Sequence, residues 1–512
     1  MNDFNENAPT PDLQTSETAY QPNPFFGLNK RIAAACLGLG VAFNYLFFDH
    51  EAGISYPLFI LCFYAVLYGL KLPGGFLRQK NDWLISCTVF LLSATFAIYS
   101  NPVLTAINHL LIPLIILSQL TLLSDRERRW DQLFGVELLL RLVAYAVQQL
   151  TAAYKAVTSL FNIGFVKNPV AKKIIVGLIV ALPLFVVLLI LLSSADEIFK
   201  EKLQVIMQFL EDISVYEIVA RTIQIVFITF LLTLLLLAAA YFSDRQNLLT
   251  VQLRWDGIIF GTVLVIINLL FLFFCLIQIN YLFLPWGELP PGLSYAVYAR
   301  KGFFELCTVA VINFIILLAG FYLVKKESDK QKGFLRIQLS LLTVLTALLL
   351  VSAFYRMCLY EAVFGLTYLR FFTQVFMVML LTLLSVTMVR IYREELSLRK
   401  YLVAVSMIFY LILNYLNTDQ IIASYNLNKA RNGYQGSNAP DVMYLLSLSA
   451  DAVPALQEYC RQAGSDPASV QTISNELYKR KYNLHNYGHF KIPGADYSWQ
   501  EFNLGRYRAD WQ

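Results

Sequence analysis

Arg221, Arg300, Glu305, Arg356, Glu361 and Arg370 are charged side chains at or near the ends of long apolar runs. A charge at that depth is costly to leave alone, so such residues pair with one another or line a polar pocket. Glu217 and Arg221 stand four residues apart, the spacing of an ion pair on one helix face. Arg300 and Glu305 bracket the entry to an apolar run in Tyr295-Ala-Val-Tyr-Ala-Arg-Lys-Gly-Phe-Phe-Glu305. Arg356, Glu361 and Arg370 fall in Tyr355-Arg-Met-Cys-Leu-Tyr-Glu-Ala-Val-Phe-Gly-Leu-Thr-Tyr-Leu-Arg370. That stretch is too apolar for a free loop and too charged for a plain span, and reads as a half-buried helix or re-entrant turn. The chemistry open to the six is recognition of a small polar or charged solute at one membrane face. Helix-end charges, each held on its own, are the plainer alternative.

Catalytic motifs do not emerge. The sequence has no Gly-rich phosphate loop, no Gly-x-Ser-x-Gly elbow and no His-Glu-x-x-His helix, so it nominates no catalytic residue and no cofactor. His485 and His489 are four apart, but Gly488 and Pro493 argue against the regular helix that would aim both at one metal. His109 precedes Pro113 by four residues, where a helix kink is the simpler reading than a proton relay. Asn268, Gln278, Asn280, Asn313 and Asn414 place neutral polar groups in apolar runs, and helix-to-helix hydrogen bonds of about 1 kcal/mol each account for them without a ligand. Cysteines lie in or beside apolar runs except Cys460, so no disulfide framework is expected.

The elements that must position these residues follow from composition. Of 512 residues, 57% are hydrophobic and 15% charged, with mean hydropathy +0.56, which excludes an ordinary soluble enzyme. Apolar windows at 32–48, 54–70, 83–99, 102–123, 174–194, 215–242, 257–281, 303–324, 337–355, 371–391 and 401–417 are each read as a span of a hydrocarbon core roughly 30 Å thick. The net charge of +5 is carried by loops, and reads as a topology signal with no nucleic-acid partner. Basic residues gather at Lys30–Arg31, Lys71–Lys80, Arg126–Lys173, Arg245–Arg254, Lys325–Arg336 and Arg390–Lys400. The alternate loops carry only Lys200, Lys202, Arg221, Arg300, Lys301, Arg356 and Arg370. This alternation predicts an all-α polytopic transmembrane helical bundle of about eleven spans, amino terminus inside and carboxyl terminus outside.

The expected organisation is a disordered cytoplasmic tail at 1–29, a four-span region at 30–124 and a cytoplasmic interfacial helix region at 125–173. A seven-span core at 174–417 and a small helical extracytoplasmic domain at 418–512 follow. The helix within 125–173 could equally pack beneath the bundle, while Ile198–Asp212 reads as a short amphipathic cap. The segment after 417 lacks Gly and Pro, so the last domain is expected to dock on the bundle and cover the polar cluster.

The segments around Tyr295–Leu306 and Arg356–Arg370, together with Asn417-Thr-Asp-Gln-Ile-Ile-Ala-Ser-Tyr-Asn426 and Tyr444-Leu-Leu-Ser-Leu-Ser-Ala-Asp-Ala-Val-Pro-Ala-Leu456, resemble an uncharacterised family of bacterial polytopic membrane proteins, domains of unknown function of the 4153/4173 type. The resemblance covers roughly residues 170–460 and implies the bacterial inner membrane, without implying a reaction. Two functions stay open: transport or sensing of a small molecule or ion through an outer-face pocket, and a non-enzymatic scaffold binding an envelope protein through its C-terminal domain. An enzyme ranks behind both; the lipid bilayer is the one partner the composition requires.

Overall fold

A computed structural model of the chain describes residues 26–70, 82–124, 136–160, 216–240, 255–282, 303–325, 328–432, 440–462, 465–482 and 498–511, and part of 177–203. The fold is all-α and polytopic. Helices α1 (Phe26–Phe47), α2 (Ser55–Gly69), α3 (Asp82–Ile98), α4 (Pro102–Ser124), α5 (Val136–Leu160) and α6 (Tyr216–Ala240) share one core, with Ile32, Leu67, Leu92, Ile112, Ala156 and Leu236 buried in it. Long apolar segments become helices because lipid offers the backbone no hydrogen-bond partner, so each must satisfy its own. α1 and α6 run antiparallel along their length: Asn44 Nδ2 donates to Gln224 Oε1 at 2.6 Å near one end, and Ile32, Cys36, Leu236 and Leu237 share a core near the other. The α3–α4 turn is cut sharply by Asn101, whose Oδ1 accepts from Leu104 N at 3.0 Å, with Pro102 starting the helix.

A second core is built from α7 (Gly257–Leu282), α8 (Phe303–Tyr322), α9 (Asp329–Phe364) and α10 (Tyr368–Tyr392). Cross-helix hydrogen bonds stitch it: Asn268 Nδ2 to Gln338 Oε1 at 2.8 Å, Asn313 Nδ2 to Thr346 Oγ1 at 3.0 Å, and Ser352 Oγ to Gln278 Oε1. These are the neutral polar groups expected to serve packing. A two-residue parallel pairing, Trp255–Asp256 with Val324–Lys325, ties the start of α7 to the end of α8. Helix α9 has 36 residues, about 54 Å at 1.5 Å per residue, so it outruns a bilayer core. It stops at Gly365, whose φ of +77° favours glycine. Helix α11 (Leu398–Tyr415) packs on both α10 and α3 and so joins the two halves.

The chain then folds back as a cap of α12 (Thr418–Arg431), α13 (Val442–Ser447), α14 (Val453–Arg461), α15 (Pro467–Tyr482) and α16 (Leu504–Trp511), with short 3-10 turns at Ala450–Ala452 and Trp499–Glu501. Its core of Ile422, Leu427, Leu445, Leu456, Tyr459 and Ile473 also takes in Leu366 from the α9–α10 turn. A cap this small gains burial by sharing its core with the bundle.

Every expected window except the fifth coincides with a described helix; 174–194 lies mostly outside the described residues. Among the described helices seven are long and apolar enough to cross a membrane, while α2 and α3, at 15 and 17 residues, are shorter apolar helices. The chain is thus a multi-pass membrane protein. Within 125–173, α5 buries Ala153, Ala156 and Val157 against α1 and α6 and exposes Val143 and Val147. It therefore packs onto the bundle end along half its length. Of the expected amphipathic cap at 198–212, only its first residues are described, with Asp196 Oδ1 accepting from Ile198 N at 2.8 Å.

Candidate functional site

Five of the six charges singled out in the sequence fall within the described residues. Arg221 lies on α6 with its guanidinium 4.2 Å from the centre of the Phe48 ring and 3.8 Å from Asp49, whose left-handed backbone an Asp tolerates. Among the described residues no ion pair joins it to Glu217. Glu305 is exposed in the first turn of α8, and Arg300 lies outside the described residues, as do His485 and His489. The remaining three gather around the α9–α10 turn. Arg356 and Glu361 are buried on α9, and Gln374 Nε2 of α10 donates to Glu361 Oε2 at 2.7 Å. Glu361 Oε1 has no hydrogen-bond partner among the described residues. Arg370 turns away to the α9 carbonyls, donating to Phe364 O at 3.0 Å and to Gly365 O, and lies 4.3 Å from the Tyr360 ring centre.

Helix α12 clamps this turn. Asn426 pairs with both backbone groups of Leu366, accepting from its N at 2.7 Å and donating to its O at 2.8 Å. Lys429 Nζ donates to Val363 O at 2.8 Å and Glu361 O at 3.2 Å, a cation on a helix C-terminus. Burial, then the neighbouring Arg370, holds the Lys429 ammonium below its ordinary value.

A more connected polar centre lies at the seam between the halves, where sequence reasoning assigned nothing. Asp419, fully buried at the start of α12, takes three donors from three parts of the molecule. Asn101 Nδ2 of the α3–α4 turn reaches its Oδ2 at 2.6 Å; Ser449 N of the cap reaches its Oδ1 at 3.0 Å; and the Tyr368 hydroxyl of α10 also donates to Oδ1. Asp451 stands beside it, 3% exposed, with Oδ2 accepting from Ser100 N at 2.6 Å and from Ser449 Oγ at 3.4 Å. Burial pushes the Asp451 carboxyl up to about 6; the Ser100 amide opposes the rise and the Asp419 carboxylate adds to it.

Below the two acids a ladder of neutral groups descends between α3, α4 and α11. Asn108 donates to Asn414 Oδ1 at 2.6 Å and to Thr95 Oγ1 at 3.2 Å, and accepts from the Tyr410 hydroxyl at 2.6 Å. A small cleft of about 10 Å³, room for about one water or a bare ion, follows this seam, lined by Thr95, Asn101, Thr105, Asn108, Asn414, Asp419 and Asp451. Its chemistry is carboxylate, amide and hydroxyl oxygen with no described Lys or Arg on the wall, which suits a small cation or a hydrogen-bonding neutral solute. Among the described residues no group of three or more His, Cys, Asp and Glu is arranged to hold a metal ion. His109 lies off the cleft wall, its ring edge-on to Phe96 at 4.7 Å and its Nδ1 2.8 Å from Thr105 O.

Two signals for this seam stood in the sequence. Asn414 was visible as a polar group in a span, and Asp419 and Asp451 each sit in a segment quoted for its family resemblance. Nothing local says that Asn101 and Asp419 meet, since 318 residues separate them.

Helical halves joined through a buried polar seam and covered by a helical cap define a multi-pass helical membrane protein. The chain belongs to the family described as Domain of unknown function (DUF4153), whose model matches residues 86–459. That span runs from α3 to α14 and contains the seam residues Asn101, Asn108, Asn414, Asp419 and Asp451. No curated protein and no solved structure matches the chain.

Proposed function

We propose that this protein transports or senses a small cation, or a compact polar solute carrying positive charge, at the seam cleft. The observation that carries the reading is the pairing of Asp419 and Asp451 on one cleft wall without a basic partner among the described residues that line it. Buried acids that are not matched by a base leave net negative charge for a ligand to complement. The seam also lies between the two halves, where a ligand can bias one against the other. In this reading the protein sits in the bacterial inner membrane, with the cap on the outer side as the loop charges imply. The α9–α10 cluster of Arg356, Glu361 and Arg370 is then the neighbour of the site, coupled to it through α12.

The test is thermal unfolding of the protein in lipid nanodiscs, with sodium, potassium, ammonium or choline chloride at matched ionic strength. A ligand that binds only the folded form at about 100 times its Kd stabilises by about 2.7 kcal/mol. One of the small cations is expected to raise Tm above choline, and Asp451→Asn to abolish the difference. Equal Tm in all four salts would remove the reading. A second reading, a scaffold for an envelope protein, draws on the exposed Met443, Tyr478, Trp499 and Phe502 of the cap, since exposed aromatics anchor partners. Pull-down of one partner lost on Tyr478→Ala with Trp499→Ala would favour it.

A further inference from the structure

The cap is fastened to the membrane bundle at several points, and they differ in charge balance. The terminal strap 498–506 is matched: Arg506 NH1 meets Glu51 at 2.7 Å, and His50 Nδ1 lies 3.5 Å from Glu501. It is also hydrogen-bonded to both hairpin turns, with Phe502 O accepting from Ile54 N at 3.0 Å and Asn503 Nδ2 donating to Phe96 O and Tyr99 O at 2.8 Å. The Asp451 contact is not matched. Its 3-10 turn is packed by α12, which brings Asp419, and by α14, which brings apolar Val453 and Leu456. Helix α16 brings Gly505 against Asp451 Oδ1, so closely that any Cβ there would overlap the carboxylate. Among the described residues the other ionisable groups acting with it are the phenols of Tyr99 and Tyr368, with Arg508 acting on Tyr99, while Tyr444, Arg370 and Asp441 lie on the Asp419 side.

We propose that the Asp419–Asp451 junction is an acid-strengthened latch, which fastens the cap over the seam when Asp451 takes up a proton and loosens it when the proton leaves. With both carboxylates ionised, two negative charges share a buried contact through Ser449, bonded to each. A proton on Asp451 removes that repulsion. Placed on Oδ1, it leaves Oδ2 to accept from Ser100 N, so the tie to the α3–α4 turn survives. The sign follows from linkage: the folded form holds this proton more tightly than the unfolded chain. The added stability is complete below the ordinary carboxylate range and fades as pH rises through about 6.

The experiment is hydrogen–deuterium exchange of the full chain in nanodiscs, read on peptides from 440–462 and 498–511 and corrected for the intrinsic pH dependence of exchange. Moving from about pH 8 to about pH 5 is expected to raise protection of the cap about tenfold. Asp451→Asn, neutral and of the same size, is expected to show high protection that no longer changes with pH. Protection that falls or stays level on acidification in the unaltered protein overturns the latch, as does a pH response kept by Asp451→Asn. If that variant does not fold, His50→Gln is the second measurement. It removes the His50–Glu501 contact of the strap, and the response is expected to persist; its loss would assign the effect to His50 and overturn the proposal. No added ligand enters the readout, so the latch can fail while cation binding at the seam stands.

Discussion

Asp419 and Glu361 are both buried acids close to α12, yet their surroundings are opposite. Asp419 has a donor from the first half-bundle, one from the second and one from the cap, all converging on a single carboxylate. Glu361 has one donor, Gln374 of the adjacent helix, and a second oxygen with none among the described residues. The charge evident from sequence, Glu361, is the less embedded of the two. The one that joins the parts of the molecule looks in the sequence like an unremarkable acid two residues after a helix-capping Asn417. Its role depends on how many separate elements aim donors at it.

That contrast sets the order of effects. Asp419→Ala is expected to be the most damaging single change, because it strands Asn101 Nδ2, the Tyr368 hydroxyl and Ser449 N in a buried site. Unpaired buried groups cost about 1–3 kcal/mol each, so a loss of about 3 kcal/mol is a modest expectation. Tm in detergent and protease sensitivity of the cap would register it. A loss under about 1 kcal/mol would mean the three elements are held together without this carboxylate. Gly505→Ala comes next, at about 2 kcal/mol, since the new Cβ must displace Asp451 or move α16. Its signature is loss of cap protection with the membrane helices intact, separable by exchange on peptides from α14 and from α9. Lys429→Met should be milder, about 1 kcal/mol, as two α9 carbonyls lose their cation while the aliphatic stem is kept.

Much of the fold was legible because bilayer thickness imposes a length and an apolarity that few other structures need. The windows 102–123, 215–242, 257–281, 303–324, 337–355, 371–391 and 401–417, which coincide with the seven helices long and apolar enough to cross a membrane, are recognised on that ground alone. Asn313 and Asn268 were legible too, as groups that would find a partner on the next helix. The site was not, for a reason of distance along the chain. Asn101 and Asp419 are brought together only by the return of α11 along α3, and Ser100 meets Asp451 across 351 residues. Charge along the sequence points to Arg221 and Glu305 as readily as to Glu361, although Arg221 is satisfied by Asp49 and the Phe48 ring. What local pattern could not supply was the donor count around each acid.

Amide substitution of the two acids is the sharpest way to break the comparison, and its smallest effect is the most informative. In Asp419→Asn one oxygen can still accept from Ser449 and Tyr368, but the other position becomes an NH2 facing Asn101 Nδ2, donor against donor at a 2.6 Å contact. Asn101 cannot simply turn its amide over, because its Oδ1 already caps α4 through Leu104 N. In Glu361→Gln the remaining oxygen still accepts from Gln374, and the new NH2 takes the place of an oxygen with no donor among the described residues. Removing a buried charge held by one hydrogen bond is expected to change stability by less than about 1 kcal/mol, in either direction. Equal Tm losses for the two amide variants would show that burial, rather than the number of converging donors, sets the importance of an acid in this fold. A near-neutral Glu361→Gln beside a destabilised Asp419→Asn would instead leave Glu361 as a side chain that folding does not require, so any change of activity in that variant could be read as an effect on function alone.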